Sequence, residues 1–311
     1  SLLHLFSKQL RKNLKFLTTS SFVAKMESMT NQEQNVKQKA FWSGKGGDVW
    51  VERQRELDIT LKPLGDAALK KIDLSNCSKI LDIGCGTGRT TLDIASEHAN
   101  STVSGLDISL PMLVQAKTLA ANENILNAEF IVQDVQLEPL VKENYDAAFS
   151  RFGVMFFDDP TAAFLNIFNS LKKDSTLAFV CWQSPKVNPW HGVSATVLKE
   201  FLELPVPEIR APSPFAFQEP DYIDEILTTA GFANIAIEPM ATKILWFANQ
   251  NIDEAVFNFV SLNPVIAESI KSIDSAIKDK LLQSLANAFK PFMTDEGLMF
   301  DSATWIVSAR K

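Results

Sequence analysis

Cysteine pairs, long apolar runs and an excess of basic residues are all missing from this 311-residue chain. The three cysteines, Cys77, Cys85 and Cys181, are too few and too scattered for a disulfide framework or a structural zinc site. We therefore expect no metal and a cytoplasmic location. No apolar run reaches the roughly 18 residues that cross a bilayer, which argues against an integral membrane segment. The formal net charge of -7 argues against nucleic acid as the main partner.

The first 25 residues differ in composition from the rest of the chain. They contain five basic residues and no acidic one, with leucine and phenylalanine at helical spacing. Such a basic amphipathic segment favours peripheral membrane contact or an organelle presequence. The other reading, a loosely ordered extension or sequence upstream of a start at Met26 or Met29, is the one we prefer. We predict residues 1–40 as an arm, separate from a folded domain at 41–311.

Strands alternate with helices through the middle of the chain, which is typical of a mainly parallel sheet covered by helices on both faces. The predicted strands are 78–83, 102–107, 128–133, 145–150, 176–182, 232–247 and 298–309. The predicted helices are 49–60, 62–72, 89–98, 110–121, 160–172, 191–203, 221–230, 252–261 and 267–290, with a break near Pro63. The last two strands are not joined by a βαβ crossover, the connection that parallel neighbours need. We therefore predict an antiparallel edge. The segments 183–219 and 249–293 are predicted to form a helical lid.

Three glycines directly follow the first strand, at Gly84, Gly86 and Gly88. Glycine at these positions allows a tight turn and a close approach of the backbone to a ligand. A dinucleotide-binding motif would require a further glycine at position 89, where Arg89 stands instead. The spacing therefore favours a ligand that places no pyrophosphate over the helix N-terminus.

Acidic residues end or nearly end the first three strands of the pattern. Asp107 lies about 20 residues beyond the glycine turn, where a carboxylate can accept both ribose hydroxyls of a nucleoside. Asp134 can accept a hydrogen from an adenine amino group, and Asp82 can fix the turn or bind an ammonium group. Because the carboxyl ends of parallel strands meet at one edge of a sheet, the three acids are predicted to converge on one crevice.

These motifs resemble those of class I S-adenosylmethionine-dependent methyltransferases. Segments 80–88, 105–108, 132–135 and the stretch from Tyr145 are similar to successive motifs of that class. Segments 150–157, 159–160 and 178–182 resemble its type 11 small-molecule group, which includes the ubiquinone and menaquinone biosynthesis methyltransferases. Segments 188–190, 214–217 and 305–310 resemble a bacterial branch of that group with no agreed substrate.

The resemblance implies a Rossmann-like fold over residues 41–311, with S-adenosylmethionine as methyl donor and S-adenosylhomocysteine as product. It implies that the glycines contact the methionine part of the donor, that Asp107 holds the ribose, and that Asp134 and Val135 border the adenine. The residues that it places near the reacting end are Ser150, Arg151 and Phe152. Cys85 and Ile108 lie within the same motifs and are predicted to contact the cofactor as well.

Aromatic residues and one histidine complete the predicted site. Trp42, Trp50 and Phe152 are candidates to face the sulfonium, since aromatic faces attract cations; packing in the core is the other reading of the two tryptophans. His191 is the candidate base, although a capping or packing role is also open. We expect methyl transfer to an O, N or C atom of a small apolar or aromatic metabolite, by a monomer or homodimer.

Two other functions compete with this hypothesis. An NAD(P)-dependent oxidoreductase would use a similar sheet, but Arg89 in the glycine motif disfavours it. A non-catalytic protein that binds S-adenosylmethionine would share the whole cofactor site. The motifs do not distinguish the acceptor atom or the oligomeric state.

Overall fold

The structure is a computed structural model that describes residues 35–205 and 208–311. Residues 38–311 form one compact unit. The amphipathic segment predicted within the first 25 residues lies outside the described part of the chain. No helix in the described ranges combines the length and apolar character needed to cross a bilayer.

The described residues form one mixed sheet with helices around it. The strands are β1 Lys79–Ile83, β2 Thr102–Asp107, β3 Ala128–Val132, β4 Tyr145–Arg151, β5 Leu171–Trp182, β6 Ala233–Trp246, β7 Met293–Thr294 and β8 Gly297–Arg310. The helices are α1 Val36–Trp42, α2 Lys45–Glu52, α3 Gln54–Leu69, α4 Arg89–Glu97, α5 Leu110–Asn122, α6 Pro160–Ser170, α7 Pro189–Leu198, α8 Pro220–Thr229, α9 Ile252–Ser261, α10 Pro264–Ser272 and α11 Ser275–Phe289.

The strand order is β3-β2-β1-β4-β5-β8-β6, and the two-residue β7 pairs with β8 beside this path. Strands β1 to β5 are parallel, whereas β8 runs antiparallel to both β5 and β6. This arrangement confirms the mainly parallel Rossmann-like sheet with an antiparallel edge, and β7 adds one short strand to the seven predicted. The carboxyl ends of β1, β2, β3 and β4 therefore lie along one edge of the sheet.

The prediction was wrong about the helices before β1. The break falls at Arg53, and α3 continues through Pro63 instead of ending there. Proline removes one backbone hydrogen bond from a helix interior. The apolar face of α3 outweighs this loss, because Leu57, Leu61 and Leu64 are almost fully buried in the core.

The region after β6 contains three helices where the sequence analysis predicted two. Asn263 caps α10, accepting hydrogen bonds from the backbone N–H groups of Val265 and Ile266, and Asp274 caps α11. Pro264 occupies the first turn of α10, where the missing N–H costs nothing. Helix α11 also contacts α7, so the two predicted lid segments touch.

Asp159 caps α6, the helix after β4. Its carboxylate accepts a hydrogen bond of 3.0 Å from the Ala162 N–H. We expect Asp159→Ala to lower the free energy of unfolding by about 1 kcal/mol, because the substitution leaves that helix N–H without its partner. Asp158→Ala is the matched control, since it removes the same charge one residue earlier without touching the cap. Equal losses in urea denaturation for both variants would contradict a capping role.

Candidate cofactor and acceptor site

The three glycines of the β1–α4 turn have positive φ angles of 63°, 57° and 86°, yet they serve different purposes. A Cβ on Gly84 would lie 2.9 Å from the Cα of Gly153, and one on Gly88 would lie 2.6 Å from the Ala116 Cβ. A Cβ on Gly86 would meet only the Met112 Sδ within 4 Å, at 3.8 Å. Gly84 and Gly88 thus permit internal packing, and Gly86 leaves open space beside the backbone.

Asp107 holds the turn from the neighbouring strand. Its Oδ2 accepts a hydrogen bond of 2.8 Å from the Gly86 N–H, and its Oδ1 accepts one of 2.8 Å from the Ser109 N–H. The residue is 7% exposed. Burial raises the pKa of its carboxyl group to about 6, although these backbone hydrogen bonds lower it. Each carboxylate oxygen retains a second lone pair, so the group can still accept two hydroxyl hydrogens.

Asp82 is buried near the end of β1, where it contacts the helix that follows the turn. Its carboxylate accepts a hydrogen bond of 2.6 Å from the Thr91 hydroxyl on α4, and only 1% of the residue is exposed. Burial raises the pKa of Asp82 to about 7, while Thr91 and the charge of Arg151 lower it. Of the two roles predicted for Asp82, this geometry matches the fixing of the turn.

Cys85 points into the core below the same turn. It is buried with Leu92, Leu113 and Phe130, and a Cβ on Gly105 would lie 2.9 Å from its sulfur. Burial raises the pKa of the thiol well above its ordinary value, so the thiol stays protonated. A ligand on this loop would meet the backbone of Cys85.

The acid after β3 is anchored within its own loop. The Asp134 Oδ1 accepts a hydrogen bond of 3.0 Å from the Gln136 N–H, and the residue is 7% exposed. Val135 is buried, and its carbonyl accepts a hydrogen bond of 2.7 Å from the Asn166 side chain. This fixed loop follows the strand that pairs with β2, which places Asp134 at the same edge of the sheet as Asp107.

The end of β4 is tied to β1 and α3. The Ser150 hydroxyl donates a hydrogen bond of 2.7 Å to the Ile83 carbonyl, which keeps the first turn and β4 together. Arg151 forms an ion pair of 2.7 Å with Asp58, and both side chains are nearly buried. Neither Asp58 nor Gly153 was predicted as a site residue, because both act through contacts with residues far away in the chain.

The predicted sulfonium-facing aromatics fall into two groups. Trp42 packs edge-on against Trp50 and Phe156, with ring centroids 6.3 and 4.9 Å apart. Helices α1 and α2 lie over the turn after β2, where the Ser43 hydroxyl donates a hydrogen bond of 3.4 Å to the carbonyl of Ile108. The two tryptophans thus pack together on helices that adjoin the turn after β2.

Phe152 belongs to the second group. Its ring stacks on Trp182 of β5, with centroids 4.5 Å apart and the planes 22° from parallel. Its φ of 57° is unusual for a bulky side chain and costs about 1–3 kcal/mol. Phe152 is only 5% exposed, and its N–H donates a hydrogen bond of 3.2 Å to the Val180 carbonyl. The packing and the hydrogen bond together stabilise this conformation.

His191 lies in the first turn of α7, within the same aromatic region. Its ring centroid is 5.8 Å from that of Trp190 and 4.7 Å from that of Phe215. Burial lowers the pKa of the imidazole, with a smaller contribution from Lys199, so the neutral form dominates at neutral pH. A neutral imidazole can accept a proton, as the prediction of a base requires.

Comparison with known proteins agrees with this geometry. Residues 80–174 match the family model of a methyltransferase domain. The chain is 28% identical over 193 residues to a demethylmenaquinone methyltransferase of Lactiplantibacillus plantarum, which covers 61% of this chain and 78% of the relative. It is 29% identical over 149 residues to an O-methyltransferase of Pyrenophora dematioidea, covering 43% of this chain and 55% of the relative. The chain spans about half the length of most curated relatives it matches.

The fold also resembles solved methyltransferases. A phosphoethanolamine N-methyltransferase 2 of Haemonchus contortus, solved with S-adenosyl-L-methionine, superposes with a TM-score of 0.50 at 18% identity, covering 80% of this chain and 52% of that one. The domain and fold are those of a class I S-adenosylmethionine-dependent methyltransferase.

Proposed function

We propose that this chain binds S-adenosylmethionine across the β1–α4 turn and transfers its methyl group to a small, apolar or aromatic acceptor. The observation that carries the proposal is the pairing of Gly86 with Asp107. The Asp107 carboxylate already accepts the Gly86 N–H, and Gly86 leaves open space where any side chain would project. A ribose can occupy that space and donate its hydroxyls to the remaining lone pairs of Asp107.

The bound donor supplies a methyl group on a positively charged sulfur, which departs as the neutral thioether. The chain itself has to orient the donor and exclude water, because the methyl group is already activated. Asp107 and the β1–α4 turn hold the nucleoside and methionine parts, with Asp134 and Val135 at the adenine. Phe152, stacked on Trp182, presents a buried aromatic surface at the end of β4.

Isothermal calorimetry with S-adenosylmethionine and S-adenosylhomocysteine tests this proposal on the full chain. We expect both to bind, and we expect NADH to give no heat above buffer. Binding of NADH alone would favour the oxidoreductase alternative. Release of S-adenosylhomocysteine during incubation with an acceptor would separate an enzyme from a binding protein. A cytoplasmic location and a monomeric or homodimeric state belong to the same proposal.

Cofactor affinity should depend on pH through Asp107. The ionised carboxylate accepts both ribose hydroxyls, and its pKa is about 6 in the free protein. Below pH 6 the group is protonated, so affinity for S-adenosylhomocysteine should fall about tenfold for each further pH unit, and it should level off above pH 7.

Calorimetry between pH 4.5 and 8 measures this dependence, and Asp107→Asn is the control. The amide does not titrate, so the variant should bind weakly with an affinity that is nearly flat across this range. A full pH dependence that persists in the variant would assign the titration to another group, such as Asp82, whose pKa is about 7.

A further inference from the structure

An aromatic cluster lies at the carboxyl end of β5, next to the proposed cofactor site. The Trp190 cluster consists of Trp190 and the four rings whose centroids lie 4.9 to 5.8 Å from it, those of Trp182, His191, Phe215 and Trp246. Trp182 also stacks on Phe152. The cluster therefore continues directly from the end of β4, where the resemblance implies the reacting end of the donor.

Three buried polar atoms around this cluster lack a hydrogen-bond partner among the described residues: the His191 Nδ1, the Trp246 Nε1 and the Thr304 Oγ1. Trp246 is 6% exposed and Thr304 is fully buried. Thr304 lies directly opposite Trp182 in the β5–β8 pair, so the two side chains share one face of the sheet. Both His191 and Trp246 touch the ring of Trp190.

An unpaired polar atom in a protein interior costs about 1–3 kcal/mol, so most such atoms have partners. The Asn188 side chain next to this cluster is fully paired. The Asn188 side chain donates to the Ala303 carbonyl at 3.0 Å and accepts from the Trp190 indole N–H at 3.2 Å. The three unpaired atoms are consequently an exception within a well-satisfied region, and a bound molecule can supply their partners.

The chemistry of the three atoms restricts that molecule. The Trp246 N–H can only donate, so the molecule needs at least one acceptor atom, whereas a hydroxyl and a neutral imidazole can pair with either kind of group. The surrounding rings favour a flat apolar body. They carry no formal charge when His191 is neutral, which favours an uncharged molecule.

We propose that the Trp190 cluster is the acceptor site, and that it takes an uncharged aromatic molecule with at least two oxygen or nitrogen functions, which pair with His191, Trp246 and Thr304. One part of this inference rests on the proposed function, namely that the bound molecule accepts the methyl group. The three atoms are closed off from solvent, so binding requires the side chains that cover them to move.

The test compares two hydroxyl groups on the same strand. Thr304→Val removes an unpaired hydroxyl, whereas Ser302→Ala removes one that donates a hydrogen bond of 2.9 Å to the Thr242 carbonyl. We expect Thr304→Val to keep or raise the melting temperature and Ser302→Ala to lower it. The probe is 2-hydroxyacetophenone, with ethylbenzene as its apolar analogue, measured by calorimetry in the presence of S-adenosylhomocysteine.

The wild-type chain should bind 2-hydroxyacetophenone more tightly than ethylbenzene. Thr304→Val should weaken the binding of 2-hydroxyacetophenone about fivefold to tenfold, which is the effect of one lost hydrogen bond. Ser302→Ala should leave it unchanged, and Thr304→Ser should restore it. Equal affinity for the two probes, equal affinity of Thr304→Val and wild type, or a loss of stability in Thr304→Val that matches Ser302→Ala would each overturn the assignment.

Binding of S-adenosylhomocysteine alone separates the two proposals. A chain that fails to bind it refutes the proposed function, whatever the probes do. A chain that binds it but does not distinguish 2-hydroxyacetophenone from ethylbenzene keeps the cofactor site and loses the acceptor site proposed for the Trp190 cluster.

Discussion

Asp107→Ala should weaken the binding of S-adenosylhomocysteine by at least about 100-fold. Hydrogen bonds to a charged group are worth about 1.5–3 kcal/mol each, and the carboxylate is positioned to accept two from the ribose. The substitution also releases the Gly86 N–H, which loses the acceptor that holds the turn in place. Calorimetry on the purified variant measures the loss directly.

Asp146→Ala is the matched control for this variant. The Asp146 carboxylate also accepts two backbone hydrogen bonds, each of 2.9 Å, from the N–H groups of Ser78 and Lys79. It does so at the amino end of β1, at the opposite edge of the sheet from the glycine turn. We expect Asp146→Ala to lower stability and to leave the affinity for S-adenosylhomocysteine unchanged. Unchanged affinity in Asp107→Ala, or an equal loss in Asp146→Ala, would argue against ribose recognition by Asp107.

Local signals explain why so much of the sheet could be predicted from the sequence. The units β2–α5 and β4–α6 each begin with a short apolar run and continue into a helix whose start is marked, by Ser109 before α5 and by Asp159 before α6. Gly231, with a φ of 102°, marks the end of α8 in the same way. Such signals depend only on neighbouring residues, so they can be recognised in the sequence without knowledge of the tertiary structure.

Where local rules failed, packing decided the outcome. Pro63 normally ends a helix, but the buried face of α3 continues on both sides of it. The Asn263 and Asp274 caps that divide the lid helices were visible in the sequence, and they should have been preferred to one long helix. In both cases, the surrounding pattern of apolar and capping residues was a better guide to the ends of the helices than one residue taken alone.

Only the part of the candidate site that lies within sequence motifs could be predicted. The positions of Gly86 and Asp107 follow from the strand and turn that carry them. The pairing of Arg151 with Asp58 joins residues 93 positions apart, and no spacing rule predicts it. Likewise, the stacking of Phe152 on Trp182 and the unpaired atoms around Trp190 depend on how β4, β5 and the lid pack together. Cofactor recognition is therefore local in this chain, whereas the proposed acceptor recognition is built from distant segments.

Gly86→Ala and Gly88→Ala should separate ligand binding from folding within one turn. Both residues have positive φ, so either substitution costs about 1 kcal/mol from backbone strain. At Gly88 the new methyl group would also lie 2.6 Å from the Ala116 Cβ and 2.8 Å from Phe130, which adds overpacking between α5 and β3. We expect Gly88→Ala to lower the free energy of unfolding by about 3 kcal/mol, and Gly86→Ala by about 1 kcal/mol.

Cofactor affinity should follow the opposite order. The methyl group of Gly86→Ala would enter the open space beside Asp107, where the proposed donor lies, and should weaken S-adenosylhomocysteine binding more than tenfold, the equivalent of about 1.4 kcal/mol. The folded fraction of Gly88→Ala should bind nearly as tightly as the wild type. Urea denaturation and calorimetry on both variants measure the two effects separately. Wild-type affinity in Gly86→Ala would place the donor away from this turn, because a bound ligand in contact with the glycine backbone could not accommodate the added carbon.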